Sequence, residues 1–150
     1  MHRRAAARRR AASVVESAIV YPATFLVVLG LAVGGLGVFR YQQVASLARE
    51  GARWASVRGG QYASETGNAA ATQQDVYNNV IKPNGFGLDP SRLGCTVTWS
   101  NNDNWPVRIS SDNGAATANT VTVTVTYQWL PEAYLGGLTL SSTSVVPVAY

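Results

Sequence analysis

The chain has 150 residues, a formal charge of +4, 47% hydrophobic and 13% charged side chains. A single cysteine, Cys95, excludes an intrachain disulfide, and a single histidine, His2, leaves no basis for a zinc site. Five of the 12 Lys+Arg lie in residues 1–11, and the rest of the chain carries seven basic against eight acidic groups, so it lacks the basic patch of a nucleic-acid reader.

The first predicted element is a membrane helix. Arg3, Arg4, Arg8, Arg9 and Arg10 form a basic leader over 1–11, and a run without ionisable charge extends from Ser17 to Phe39. At about 1.5 Å per residue its 23 residues reach roughly 34 Å, enough to cross a hydrocarbon core. The arginines lie on one side, so the leader is expected in the cytoplasm and the rest of the chain outside. The run is too long for the apolar part of a cleavable signal, and Val38-Phe39-Arg40-Tyr41 lacks small residues for a cut. The competing reading is a signal peptide cut near Leu31-Ala32-Val33-Gly34.

Within residues 12–39, three features stand out. Glu16 places a carboxylate at the start of the span, where it either reaches the headgroups and the helix dipole or meets a specific cation in an assembly. Pro22 removes one helix hydrogen bond and is expected to bend or loosen the helix. Gly30 and Gly34 form a G-x-x-x-G pair that would let another helix approach closely.

A helical stem is expected to continue over 40–58. Ala45, Ala48, Ala52 and Ala55 recur at helical spacing, with Arg49, Glu50 and Arg53 on watery faces and Trp54 beside the stripe. Gly59-Gly60 stops it. The remaining residues, 59–150, make one small α+β domain. Its predicted second helix covers 68–81, with Ala69, Ala70, Val76, Tyr77, Val80 and Ile81 as the apolar stripe, and the Lys82-Pro83-Asn-Gly-Phe-Gly turn ends it.

The period then switches to two. Residues 95–99 are expected as a strand with Cys95 a buried small apolar residue, 100–104 as a turn, 106–110 as a short return strand and 111–119 as a loop. Residues 120–130 give the clearest strand, with Val121, Val123, Val125, Tyr127 and Trp129 on the face expected to cover the stem. Pro131 ends it, and 138–148 is a last strand that Pro147 places at an edge. The expected fold is α+β: a long N-terminal transmembrane and stem helix, a short second helix, and an antiparallel sheet of three to four strands.

The segment from Arg8 through Glu16 to Pro22, running into an apolar helix, resembles the N-terminus of TadE-like proteins, the pseudopilins of tight-adherence (Flp) pilus systems. Ala48-Arg49-Glu50-Gly51-Ala52-Arg53-Trp54-Ala55-Ser56 resembles the segment that follows the membrane in that family, and 121–131 with 140–144 resembles its closing strands. The resemblance implies a pilin-like module processed by a prepilin-type peptidase on the cytoplasmic face. The family glutamate is the fifth mature residue, so Glu16 places the cut between Ala11 and Ala12; this chain has Ala11 where the family usually has glycine. Cleavage creates an ammonium at Ala12, which Glu16 would pair with on its own helix or, as the resemblance favours, on a neighbouring subunit.

No enzymatic activity and no cofactor are expected. Asp89, Asp103, Asp112 and Glu132 are scattered over loops without a histidine to work beside them, and no serine or threonine has a recognisable base. The expected function is that of a minor pilin, pseudopilin or pilus-assembly factor, anchored once in the inner membrane. Its partners would be the lipid bilayer, the peptidase, other pilin-like subunits and platform proteins, with no nucleic acid. The alternative is an anchored adhesive or carbohydrate-binding module, which a flat exposed row of Trp99, Trp105 and Trp129 would favour. A third is a chain that keeps the family's shape without a pilus system.

Overall fold

The computed structural model describes residues 2–109, 114–131 and 136–150, with side chains from residue 14 onward except Asn101 and Arg108. The side chains of the leader arginines and of Ala11 and Ala12 therefore lie outside what is described, as do Asp112, Glu132 and part of the 111–119 loop. The chain forms two compact units, 1–38 and 39–150.

Helix α1 (His2–Ser56) belongs to both units. From Val14 it is long and apolar enough to cross a membrane, and its most apolar stretch is wholly unburied. Pro22 sits inside α1 without ending it.

The second unit is α+β. Its core lies where the last turns of α1 meet a sheet and a second helix: Val44, Leu47, Ala48, Ala52 and Ala55 are buried from α1, and Val121, Val123 and Val125 from the sheet. Three antiparallel strands, β1 (Leu93–Trp99), β4 (Thr120–Trp129) and β5 (Leu138–Pro147), lie in the order β1-β4-β5. Strand β4 is central because its alternation serves a buried face: all five of its odd-numbered apolar residues are buried, while Thr122, Thr124 and Thr126 are half-buried on the other face. Register pairs Cys95 with Val125, Val97 with Val123, and Val121 with Val146. Strand β5, ending at Pro147, is an edge as expected.

Four expectations need correction. The 106–110 segment does not return along β1; β2 (Val107–Ile109) pairs with β3 (Ala116–Ala118) in a separate two-stranded ribbon, so part of the expected loop is a strand. A further helix, α2 (Gly60–Thr66), starts at the glycine pair expected only to stop α1.

The helix expected over 68–81 starts later, at Gln73. Thr72 caps it, accepting from the Asp75 N–H while the Asp75 carboxylate accepts from the Thr72 N–H, and this reciprocal pair fixes the first turn better than the alanines before it. The helix continues past the expected stop, through a wide π turn at Tyr77–Ile81 to a last turn at Lys82–Asn84. Pro83 sits in that last turn, where its missing N–H forgoes a single hydrogen bond just before the helix ends. Val76, Val80 and Ile81 from this 73–84 helix complete the core.

Cys95 is half-buried rather than buried, because β1 is the opposite edge of the sheet.

Candidate functional site

The residues singled out on the apolar part of α1 are all turned outward. Glu16 is exposed and engages no described residue by hydrogen bond or ion pair. Near Pro22, the Thr24 hydroxyl donates to the Val20 carbonyl at 2.9 Å, a local use of a polar side chain inside an apolar helix. A Cβ built on Gly30 or Gly34 would meet nothing within 4 Å, so that face of the first unit is open.

The stem motif divides by helical phase. Gly51 and Ala52 turn into the core, where a Cβ on Gly51 would lie 3.1 Å from Ile81 Cδ1, 3.2 Å from Val123 Cγ1 and 3.3 Å from Val76 Cγ1. Glycine at this position lets the stem approach both the sheet and the 73–84 helix. Arg49, Glu50 and Arg53 are exposed, and Trp54 is half-buried. The Arg58 guanidinium stacks over the Trp54 ring at 4.2 Å, a cation–π contact that holds the indole against the helix.

Glu50, Arg53 and Trp54, with Val57 and Arg58, form one wall of an open groove of about 500 Å³ whose other wall is Asn79, Val80 and Asn84. A second hollow of about 250 Å³ adjoins it, lined by Gln43, Ser46, Leu47, Glu50, Asn84 and Phe86. Glu50 and Asn84 line both, so the two form a continuous furrow between the stem and the 73–84 helix. The motif residues Glu50, Arg53 and Trp54 are thus brought together, while Arg49 lines neither hollow. The furrow is largely apolar and is lined by one acid, Glu50, and two arginines, Arg53 and Arg58.

Sequence reasoning missed the residues that tie the stem to the rest of the domain. The Arg40 Nη1 donates to the Gly87 carbonyl at 2.6 Å and to Gln43 Oε1 at 3.2 Å, and Gln43 Nε2 donates to the Phe86 carbonyl at 3.0 Å. At the other end of the stem, the Ser56 carbonyl accepts from the N–H groups of Ala149 and Tyr150, and the Gly59 N–H donates to the Tyr150 carbonyl. The signal available in the sequence was the Asn84-Gly-Phe-Gly87 turn, whose exposed aromatic is unusual between two glycines.

Cys95 is not poised as a nucleophile: burial pushes its thiol up to about 11. The three tryptophans do not form a flat exposed row. Trp129 is buried, Trp99 is half-buried, and Trp105 is 47% exposed on the segment before β2.

No curated protein and no solved structure gives a match to this chain. A family model described as TadE-like protein matches residues 11–53, so the chain is similar to that family over the segment that carries Glu16, the apolar helix and the stem motif as far as Arg53.

Proposed function

We propose that this protein is a minor pilin, pseudopilin or assembly factor of a tight-adherence pilus, working by subunit packing rather than by turnover of a substrate. The observation that carries the reading is the coincidence of the TadE-like match over 11–53 with a wholly unburied apolar helix. An apolar helix left unburied by the described residues needs a bilayer or neighbouring helices, and a pilus subunit uses the first before assembly and the second after it.

On this reading a prepilin-type peptidase cuts between Ala11 and Ala12 on the cytoplasmic face and removes all five leader arginines. The new ammonium at Ala12 then needs a counter-charge in an apolar setting, and the outward-facing Glu16 of a neighbouring subunit supplies it. The Gly30–Gly34 face lets the neighbour's helix come close, and the furrow beside Glu50, Arg53 and Trp54 receives a pilin-like subunit or platform protein above the membrane. The dispersed tryptophans give the carbohydrate-binding alternative less support than a flat row would.

The test is intact mass and N-terminal sequencing of the protein from native membranes, with and without the cognate peptidase. A peptidase-dependent start at Ala12 is expected. An intact leader in both samples would sink the processing route and leave a plain membrane-anchored domain.

A further inference from the structure

The second unit holds out one large apolar side chain on a rigid turn that is bonded to the first residues of the stem, Arg40 and Gln43. The Leu88 N–H donates to the Gly85 carbonyl at 3.0 Å, closing a four-residue turn with Phe86 and Gly87 at its corners. Gly87 has φ +71, the left-handed value that the third position of a type II turn requires. The first position is equally constrained, since a Cβ on Gly85 would lie 3.1 Å from the Ile81 carbonyl oxygen. Phe86 is left 77% exposed, although its own backbone is pinned to the stem by Gln43 and the next carbonyl by Arg40. A fixed backbone that spends its tip on an unburied phenyl ring points to a partner for the ring.

The pinning residues identify that partner. The apolar run ends at Phe39, and Arg40 is the first charge after it. Gln43 lies four residues beyond Phe39, about 6 Å along the helix axis. The turn is therefore held beside the first helical turn after the span. The interfacial zone outside the hydrocarbon is about 5–8 Å thick on each side, the same order as that rise along the helix. Phe39 and Tyr41, at 57% and 45% exposure, lie at the same end of the unit. Exposed Lys82, at the end of the adjoining helix, supplies a cation suited to lipid phosphates. Of the acids near the turn, the Asp89 carboxylate faces Arg92 at 3.5 Å and Glu50 lines the hollow that Phe86 also lines.

We propose that the 85–88 turn is a second membrane contact, with Phe86 inserted in the interfacial zone of the leaflet that faces the domain. The chain then meets the bilayer at two points, the helix and the turn. The inference rests on the membrane-anchored reading above.

The experiment places single spin labels in the full chain with Cys95→Ser, at Phe86→Cys, Val28→Cys in the apolar run, and Asn68→Cys in the exposed loop after α2. The proteins are reconstituted at one copy per nanodisc of mixed phosphatidylglycerol and phosphatidylcholine. Collision with oxygen is compared with collision with a water-soluble nickel complex. The label at 86 should meet nickel severalfold less than the label at 68, and oxygen more, at a depth shallower than 28. Equal accessibility at 86 and 68, with 28 embedded, overturns the proposal and leaves the anchor reading standing. An aqueous reading at 28 overturns both. Shielding at 86 that arises only with several copies per disc assigns the ring to a protein contact and also overturns it.

Discussion

Gly51 of the stem faces Val123 of the central strand across a gap that no side chain fills: a Cβ at 51 would sit 3.2 Å from Val123 Cγ1 and 3.1 Å from Ile81 Cδ1. The three pieces of the core converge here, and each contributes a buried aliphatic side chain or its absence. A methyl group at 51 would force the neighbours apart by a few tenths of an ångström, and larger groups by more. Gly51→Ala is expected to be close to neutral, the helix-propensity gain of about 0.5–1 kcal/mol offsetting the crowding, and Gly51→Val to destabilise the domain by about 2–3 kcal/mol, the usual range for overpacking. Urea unfolding of the full chain in detergent, followed by tryptophan fluorescence, measures both. A neutral Gly51→Val would show that the stem does not pack as described.

Asn119 is fully buried and fully engaged. Its Nδ2 donates to the Trp105 carbonyl at 2.9 Å, its Oδ1 accepts from the Ser100 hydroxyl at 3.2 Å, and its backbone binds Pro106 and Val148. One side chain thereby joins the loop before β2 to the start of β4. Truncation in Asn119→Ala strands the Trp105 carbonyl and is expected to cost about 2–3 kcal/mol. Asn119→Asp should also destabilise, because the Trp105 carbonyl would then face an acceptor. The same unfolding assay reads both variants.

Much of this architecture is legible in the chain, and what escapes is non-local. The alternation from Val121 to Trp129 announces a strand with one buried face, and the alanines at 48, 52 and 55 announce the stem's inner stripe; both patterns are local and periodic. The 69–71 alanines favour helix by propensity, yet the Ala71 N–H bonds the Arg58 carbonyl at 2.8 Å, so a tertiary contact draws that segment out of helix. The β2–β3 ribbon is short and lacks an apolar alternation to mark it. The Arg40–Gly87 contact joins residues 47 apart in sequence, and nothing in either neighbourhood names the other. On the candidate site, Glu16 and the stem motif could be read from their order along the chain, whereas the furrow exists only once the 73–84 helix lies beside the stem.

The capping box predicts a pH response at the acid end. Hydrogen bonds from Thr72 hold the Asp75 carboxyl below its ordinary value of 3.8. A depressed folded-state value means the cap is fully formed above about pH 4 and is lost as pH falls through the lower folded value. Protection factors of the amides in the first turn of the 73–84 helix should therefore fall on acidification below about pH 4, ahead of those of the β4 amides. Thr72→Ala should remove most of that pH-dependent step while leaving β4 protection in place.

Cys95 is expected to be a poor nucleophile in the folded protein. With its thiol raised from 9.0 to about 11, the thiolate fraction near pH 8 falls on the order of a hundredfold relative to an unperturbed cysteine. Iodoacetamide labelling at pH 8 should be at least that much slower in the folded chain than in urea. Comparable rates in the two states would mean that β1 opens readily at its edge.

Glu16 carries the sharpest prediction of the assembly reading. Its carboxylate is exposed on α1 and engages no described residue. If its role is to meet the Ala12 ammonium of a neighbour, Glu16→Gln should leave processing, membrane insertion and domain stability unchanged. Co-purification with partner subunits and pilus assembly should fall at the same time. Loss of a charge partner in an apolar setting typically costs about 3–5 kcal/mol, which corresponds to more than a hundredfold in association. Glu16→Asp keeps the charge but shortens the reach, so it should restore part of the loss where glutamine restores none. If both variants assemble normally, the carboxylate serves only its own helix end, and the register of assembly must be set elsewhere, with the Glu50–Arg53–Trp54 furrow the next place to mutate.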